Sequence, residues 1–431
     1  MSGILQTVFQ NLRSFVETYW LATILPSVNS NVSSYGITTD ITGNVYVCAQ
    51  NNDFTVVKYN NLGSVVWGQK LGASSGAIPS TSYNVIVDTS SNVYVIGTQA
   101  DSTPNTGFEI VKYNSSGTIQ WQNGLFFVAG SDSVGQGIGL DSSSNVYVTG
   151  HATDPTNFVV PLVKYNSSGT LQWQRKLTVS TSTNLKANGI AVDSSGNSHI
   201  VYTGSTATTS YVSKIDSTGA TTWNKSFVVT GLTALYGVAL DSSGNVYVAG
   251  GNTDAFIGKF DSSGALQWSR KLSSAANDRL LAIAVDSSGN AYVSGYNATG
   301  GNNNFLIAKY DTSGTIQWQR TISCSAGDSD ISYGITVNNA GYICVSGIFT
   351  YSAPFTYGLI LKLPTDGSKT GTYTVGSYSF TYAASSLTDA AAGATSASVT
   401  LTNATGAFTL AATGYASSSS TLLTSTVTTI P

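Results

Sequence analysis

Side chains able to do acid–base, nucleophilic or metal chemistry are few in this 431-residue chain. There are two histidines (His151, His199), two glutamates (Glu17, Glu109) and three cysteines (Cys48, Cys324, Cys344). A zinc centre needs three or four His, Cys or carboxylate ligands brought together, and a covalent nucleophile needs a base beside it. The spacing offers no such cluster. His199 stands in "SHI", where other copies of the same segment carry tyrosine, and reads as a strand residue; His151 opens a loop, "GHATDPTN", and could meet a ligand. Three cysteines cannot build a disulfide framework, so buried thiols are the simpler reading.

Aspartate is the one plentiful acid. Glycoside hydrolysis needs two carboxylates at a set separation, and the loops of varying length offer Asp101, Asp154, Asp278, Asp328 and Asp330. Most other aspartates stand in turns, where the side chain accepts from backbone N–H groups two residues on. The long acidic ligand set of a calcium loop is missing. Seven of the thirteen lysines (Lys58, Lys112, Lys164, Lys214, Lys259, Lys309, Lys362) share one position of a repeat. A ring of cations would suit an anion, yet each stem can lie along aromatic surface with its ammonium reaching a turn. The expectation is a protein with no catalytic residues, no metal and no cofactor.

A repeat must position these residues. Six tryptophans, Trp67, Trp121, Trp173, Trp223, Trp268 and Trp318, lie near the ends of segments such as "KYNSSGTLQWQRKL" (164–177). Ahead of each comes a second segment: "DITGNVYV" from Asp40, "DTSSNVYV" from Asp88, "DSSSNVYV" from Asp141, "DSSGNSHI" from Asp193, "DSSGNVYV" from Asp241 and "DSSGNAYV" from Asp286. A degenerate seventh copy, "NNAGYICV", starts at Asn338. The period is roughly 45–54 residues, the signature of stacked or radial repeats. Each unit reads as four short strands: an apolar run ("YGVAL", 236–240), a Val/Tyr alternation ("VYVAG", 246–250), a strand ending in Lys-Tyr or Lys-Phe, and one carrying the tryptophan. Seven such periods with almost no helical patterning predict an all-β fold, a seven-bladed β-propeller of four-stranded blades.

Spacing adds detail. From the repeat lysine to the tryptophan is nine residues in all six complete units, whereas Asp to Lys runs from 18 to 24 and Trp to the next Asp from 18 to 21. All length variation therefore falls on one face of the ring, where loops can carry function on a rigid scaffold. That face is rich in Asn, Thr, Ser and Tyr, as in "YNATGGNNNF" (296–305) and "FTYSAPFTYG" (349–358). Its candidate ligand-binding residues are His151, Asp154, Asn302, Asn303, Tyr351 and Tyr357.

Trp20 precedes Asp40 by 20 residues, the spacing of Trp121 to Asp141, while the seventh unit has Gly371 nine residues after Lys362. The strand around Trp20 is therefore expected to close the ring as the outer strand of the last blade, with all seven tryptophans, Trp20 included, as closure residues. The rival reading gives that strand to "GTYTVG" (371–376), with Tyr373 in the place of the tryptophan.

The unit "DSSGNVYVAGGNTDAFIGKFDSSGALQW" (241–268) resembles the SBBP family of seven-bladed β-propeller repeats, over about residues 18–370. The resemblance implies architecture and no fixed catalytic set. The tryptophan-bearing turns are similar to the docked blades of quinoprotein propellers, a likeness of blades that implies no quinone. Together with the Ser/Thr/Ala-rich end, "SLTDAAAGATSASVTLTNATGAF" (386–408), the layout resembles structural proteins of marine tailed bacteriophages.

Charged residues make up 9% of the chain and the formal net charge is −3, so no basic patch argues for nucleic acid. Residues 1–17 have apolar side chains at helical spacing and read as a short amphipathic helix, packed on the ring or anchoring it to a partner. They lack a secretory signal's basic start, and no apolar run is long enough to span a bilayer. Residues 371–431 are β-prone, and from residue 370 onward the only charge is Asp389. Unpaired uncharged strands invite edge association, so this segment is expected to pair with other subunits. The chain thus divides into a helix or anchor (1–17), a propeller (18–370) and an assembly segment (371–431). The expected function is a non-enzymatic virion component, homo-oligomeric, contacting other virion subunits and a host-surface glycan, with no nucleic acid and no membrane insertion. A secreted or cell-surface lectin-like adhesin is the alternative, and a tail-borne glycan hydrolase the third.

Overall fold

The structure is a computed structural model that describes residues 18–26, 31, 33–50, 54–71, 81–100, 106–126, 133–154, 157–204, 209–230, 232–274, 276–298, 302–324, 329–350, 355–399, 401–405, 409–411, 417–419 and 423–430. The expected helix over 1–17, Asp101, Asp328 and Tyr351 lie outside these residues.

Every described element is a strand. Blade 1 shows the unit: Ser33–Thr39, Val45–Gln50, Phe54–Tyr59 and Val65–Leu71 pair consecutively and antiparallel. The β-branched and aromatic residues of the second and third strands are buried on both faces, against the blades on either side. Blades 2 to 6 repeat the unit over 81–126, 133–179, 186–228, 232–273 and 278–324. The seventh contains Ile331–Asn338, Tyr342–Thr350 and Thr356–Pro364, and its fourth strand is Tyr19–Pro26 from the other end of the chain. The protein is thus an all-β propeller of seven four-stranded units.

The hairpin turns explain the Asp and Gly positions. Asp40 Oδ1 accepts from the backbone N–H of Thr42 and Asn44, and Oδ2 accepts from Asn44 Nδ2 and Tyr46 Oη. The turn at Asp241 repeats this with Ser243, Asn245 and Tyr247. In the second hairpin Gly314 has φ +81° and a Cβ there would lie 2.6 Å from Trp268, so the position excludes other residues by conformation and by space.

Each tryptophan joins its blade to the next. The indole N–H of Trp67 donates to Ser115 O at 3.1 Å, Trp173 to Ser217 O at 3.1 Å and Trp268 to Thr312 O at 3.0 Å. Trp20 does the same across the closing joint, donating to Asn61 O of blade 1 at 3.0 Å, with Lys362 opposite it in register as Lys58 is opposite Trp67. The rival strand, Gly371–Val375, instead forms a hairpin with Tyr378–Ala384 on the outside of blade 6. Trp20 is fully buried, whereas the other six tryptophans are half-buried.

The repeat lysines follow the simpler reading. Lys58, Lys112, Lys164, Lys259, Lys309 and Lys362 each stand over the tyrosine of their own blade, at 4.1 to 5.2 Å from the ring centre. Those at 58, 112 and 164 also donate to the carbonyl that the neighbouring tryptophan uses.

The expectation that the C-terminal strands pair with other subunits is corrected here, because their partners are this chain's own fourth strands. Tyr378–Ala384 adds to blade 6, Thr388–Ala391 to blade 5, Thr395–Ser398 to blade 4, Leu401–Thr405 to blade 3, Thr409–Ala411 to blade 2, Ser417–Ser419 to blade 1 and Leu423–Ile430 to Tyr19–Pro26 of blade 7. The segment is a strap that encircles the ring against the order of the blades. Its register is regular: Ala384, Ala391, Ser398 and Thr405, seven residues apart, face Arg320, Arg270, Lys225 and Arg175, and Ser419, fourteen further on, faces Gln69. The sequence carries the same period, FTYAASS, LTDAAAG, ATSASVT, LTNATGA, FTLAATG, YASSSST from Phe380, with an apolar residue heading five of the six copies and alanine the other. Phe380 and Leu387 are buried in the seams between blades. Seven extended residues reach about 23 Å, enough for one short strand and the step to the next blade.

The cations of the fourth strands face no open edge, because the strap covers it. Arg175 and Arg320 donate to Gly219 O and Gly367 O of the next blade's turn, and Arg270 pairs with Asp389, the strap's single charge.

Candidate functional site

The first strand of every blade contains, at one equivalent place, a residue more than its partner can match. The extra residues are Tyr35, Tyr83, Gln136, Asn188, Tyr236, Leu281 and Tyr333. A bulge re-aims a side chain and breaks the ladder locally. In five of the blades the second strand makes room for it with glycine: a Cβ on Gly150 would lie 1.9 Å from Val134 O, and one on Gly295 1.9 Å from Arg279 O.

All seven bulge residues line one cavity of about 510 Å³ at the centre of the ring, with Asn84, Arg279 and Tyr296 among the other wall residues. They lie near the start of the first strands, and Tyr296 near the end of a second strand, which puts the cavity mouth on the face of variable loop length.

The wall is asymmetric. On one side Tyr333, Tyr35 and Tyr83 form an arc across blades 7, 1 and 2, with ring centres 5.0 and 5.7 Å apart. On the other, the Arg279 guanidinium lies between the rings of Tyr236 at 5.4 Å and Tyr296 at 5.8 Å, and Nη2 donates to Asn252 Oδ1 at 2.9 Å. The amides Gln136 and Asn188 stand between them; Asn188 Nδ2 donates to Leu235 O at 2.7 Å. Gln136 Oε1 and Arg279 Nε are buried and have no hydrogen-bond partner among the described residues. Burial raises the phenol pKa of Tyr35, Tyr83 and Tyr236, and pushes that of Tyr333 up to about 12. These hydroxyls therefore remain donors at neutral pH. The site presents ring faces, neutral donors and acceptors, and one cation.

Of the six ligand-binding residues expected from sequence, the five that are described, His151, Asp154, Asn302, Asn303 and Tyr357, do not line this cavity. His151 is buried within a strand of blade 3, edge-on to Phe158 at 5.0 Å, and burial lowers its pKa to about 4. Asp154 pairs with Lys176 at 2.6 Å. Asn303 bridges to Ser329, Asn302 adjoins it, and Tyr357 packs on Phe349 and Tyr378. The structure spreads them over three blades. Of the loop carboxylates, Asp278 accepts from Ser274 N and Ala298 N, and Asp330, pushed up to about 7 by burial, accepts from Cys324 N. The three cysteines are buried and form no disulfide, and no group of three His, Cys, Asp or Glu among the described residues could hold a metal. No helix among the described residues is long and apolar enough to cross a membrane.

The bulge residues were missed because the first strand was read as an apolar run. Their signal is a bulky residue followed by glycine inside that run, in "SYGI" (34–37), "GQGI" (135–138), "ANGI" (187–190), "LYGV" (235–238) and "SYGI" (332–335). Glycine inside a strand pattern marks a bulge.

No family profile and no curated protein sequence matches the chain. Among solved structures it is similar to the Dos1 propeller (10% identity, 79% of this chain and 94% of that one, TM-score 0.46) and the polysaccharide lyase Uly1 (7%, 77% and 90%, TM-score 0.45). It is also similar to a Bacteroides caccae protein of unknown function (11%, 70% and 93%, TM-score 0.38). These likenesses concern the arrangement of strands and carry no chemistry across.

Proposed function

We propose that this protein is a non-enzymatic binding module that presents the channel mouth to a saccharide, as a displayed component of a virion of the tailed-phage kind whose repeats resemble the SBBP type. The observation that supports it is the wall itself: tyrosine faces at Tyr35, Tyr83 and Tyr333 beside the amides Asn84, Gln136 and Asn188. Pyranose rings stack on such faces while their hydroxyls exchange hydrogen bonds with amides. Because the C-terminal strap pairs with its own ring, joining to a particle falls in this proposal to residues 1–17 and to contacts between copies. A cell-surface adhesin would use the same mouth. A glycan array with the purified protein tests binding, and labelled antibody on intact particles tests display. Absence of any glycan signal would sink the first part, and absence of label the second.

A further inference from the structure

One charged side chain in the cavity wall is only partly engaged by the ring. Among the described residues, Arg279 is the only charged one lining the cavity. The other described arginines are engaged by the scaffold, Arg175 and Arg320 with turn carbonyls and Arg270 with Asp389. Arg279 donates once, to Asn252 Oδ1, and among the described residues no carboxylate pairs with it. Its sequence neighbour Asp278 is fully buried and occupied by Ser274 and Ala298. Tyr236 and Tyr296 hold the guanidinium from either side, which fixes the plane of its donors without neutralising it.

A fixed guanidinium in a part-buried, otherwise uncharged pocket is a receptor for an anion, since planar donors match carboxylate and sulfate oxygens and desolvation strengthens the pairing. Tyrosine faces stand across the mouth, so the anion would be carried by a ring. We infer that the channel mouth recognises an acidic saccharide, with Arg279 binding a uronate carboxylate or a sulfate ester and the Tyr333, Tyr35 and Tyr83 arc stacking on the sugar. This rests on the saccharide reading above and adds its class.

The test is calorimetric titration of the full chain with oligosaccharides of a polyuronate, a sulfated galactan and a neutral galactan. The acidic ligands bind, Arg279→Gln weakens them at least about 10-fold, and raising ionic strength from about 0.05 to about 0.3 M weakens them in the wild type. The melting temperature of the variant, measured alongside, reports its folding, and the salt series needs no variant. Preference between polyuronate and sulfated galactan identifies the anion. Neutral and acidic oligosaccharides binding alike, with no salt effect and no effect of Arg279→Gln, would overturn this inference and leave the saccharide reading standing. No binding by any of the three would overturn both.

Discussion

Two layers of the same ring treat its pseudo-symmetry in opposite ways. Around the docking layer every joint is made by a tryptophan donating to the next blade's turn carbonyl; six of the seven blades add a lysine over a tyrosine, and six an aspartate under the hairpin. At the channel mouth the equivalent positions hold tyrosine four times, then glutamine, asparagine and leucine, with Arg279 on one side alone. In the docking layer each tryptophan N–H is engaged by a turn carbonyl; at the mouth Gln136 Oε1 and Arg279 Nε have no partner among the described residues. Repetition marks what holds the ring together, and departure from repetition marks where it can meet something else.

Substitutions should separate the layers. The largest expected loss is from deleting residues 386–431, which removes the fifth strand from six blades and uncovers Tyr19–Pro26. Calorimetry should show a fall in melting temperature greater than any single substitution causes, and an unchanged temperature would mean the strap is an ornament. Next comes Trp20→Ala, expected to cost about 3–5 kcal/mol as for a fully buried aromatic. Trp223→Ala, at a half-buried position, should cost less, and equal losses in denaturant titrations would erase the distinction drawn for the closing joint. At the mouth, Tyr83→Ala should change stability by less than about 1 kcal/mol yet weaken oligosaccharide binding about 5-fold through lost stacking. A large stability loss without a binding defect would place it in the docking layer.

The smallest effect concerns blade 4, where the docking layer loses its tyrosine. His199 replaces the tyrosine; both ring nitrogens are buried without a partner, and it leaves Lys214 without the aromatic face found in the other blades. His199→Tyr should stabilise by about 1 kcal/mol by supplying a hydroxyl to Asp193 and a ring to Lys214. Burial lowers the folded pKa of His199 to about 4 from 6.5. Its neutral form therefore supports folding fully above pH 6.5, and that support is lost as pH falls toward 4. His151 behaves alike, whereas Asp330, raised to about 7, contributes below its unfolded value and loses that contribution as pH rises through 7. Unfolding curves of His199→Tyr should show a shallower decline between pH 6.5 and 4.

How much of this was legible before the fold was known follows from the range of the interactions. The turns, the blade strands and the place of Trp20 are local or strictly periodic, so Asp-x-x-Gly-Asn, Val-Tyr-Val and a 20-residue spacing sufficed to read them. The strap was legible too, through its seven-residue period, but that period has meaning only beside a ring whose blades are one such step apart. The described loop residues expected to bind a ligand do not share the cavity, for a different reason: loop variability shows where side chains can differ, without showing which of them face a common space.

The chain's own order of residues determined seven blades, the chemistry of their turns and the swap that brings Trp20 to the last one, because each is set by nearest-neighbour geometry repeated along the sequence. Tertiary structure alone decided that seven bulges from residues 35 to 333 meet in one cavity, and that Arg279 stands there between Tyr236 and Tyr296. Ring closure is what makes them neighbours, and no local pattern encodes a distance across a circle.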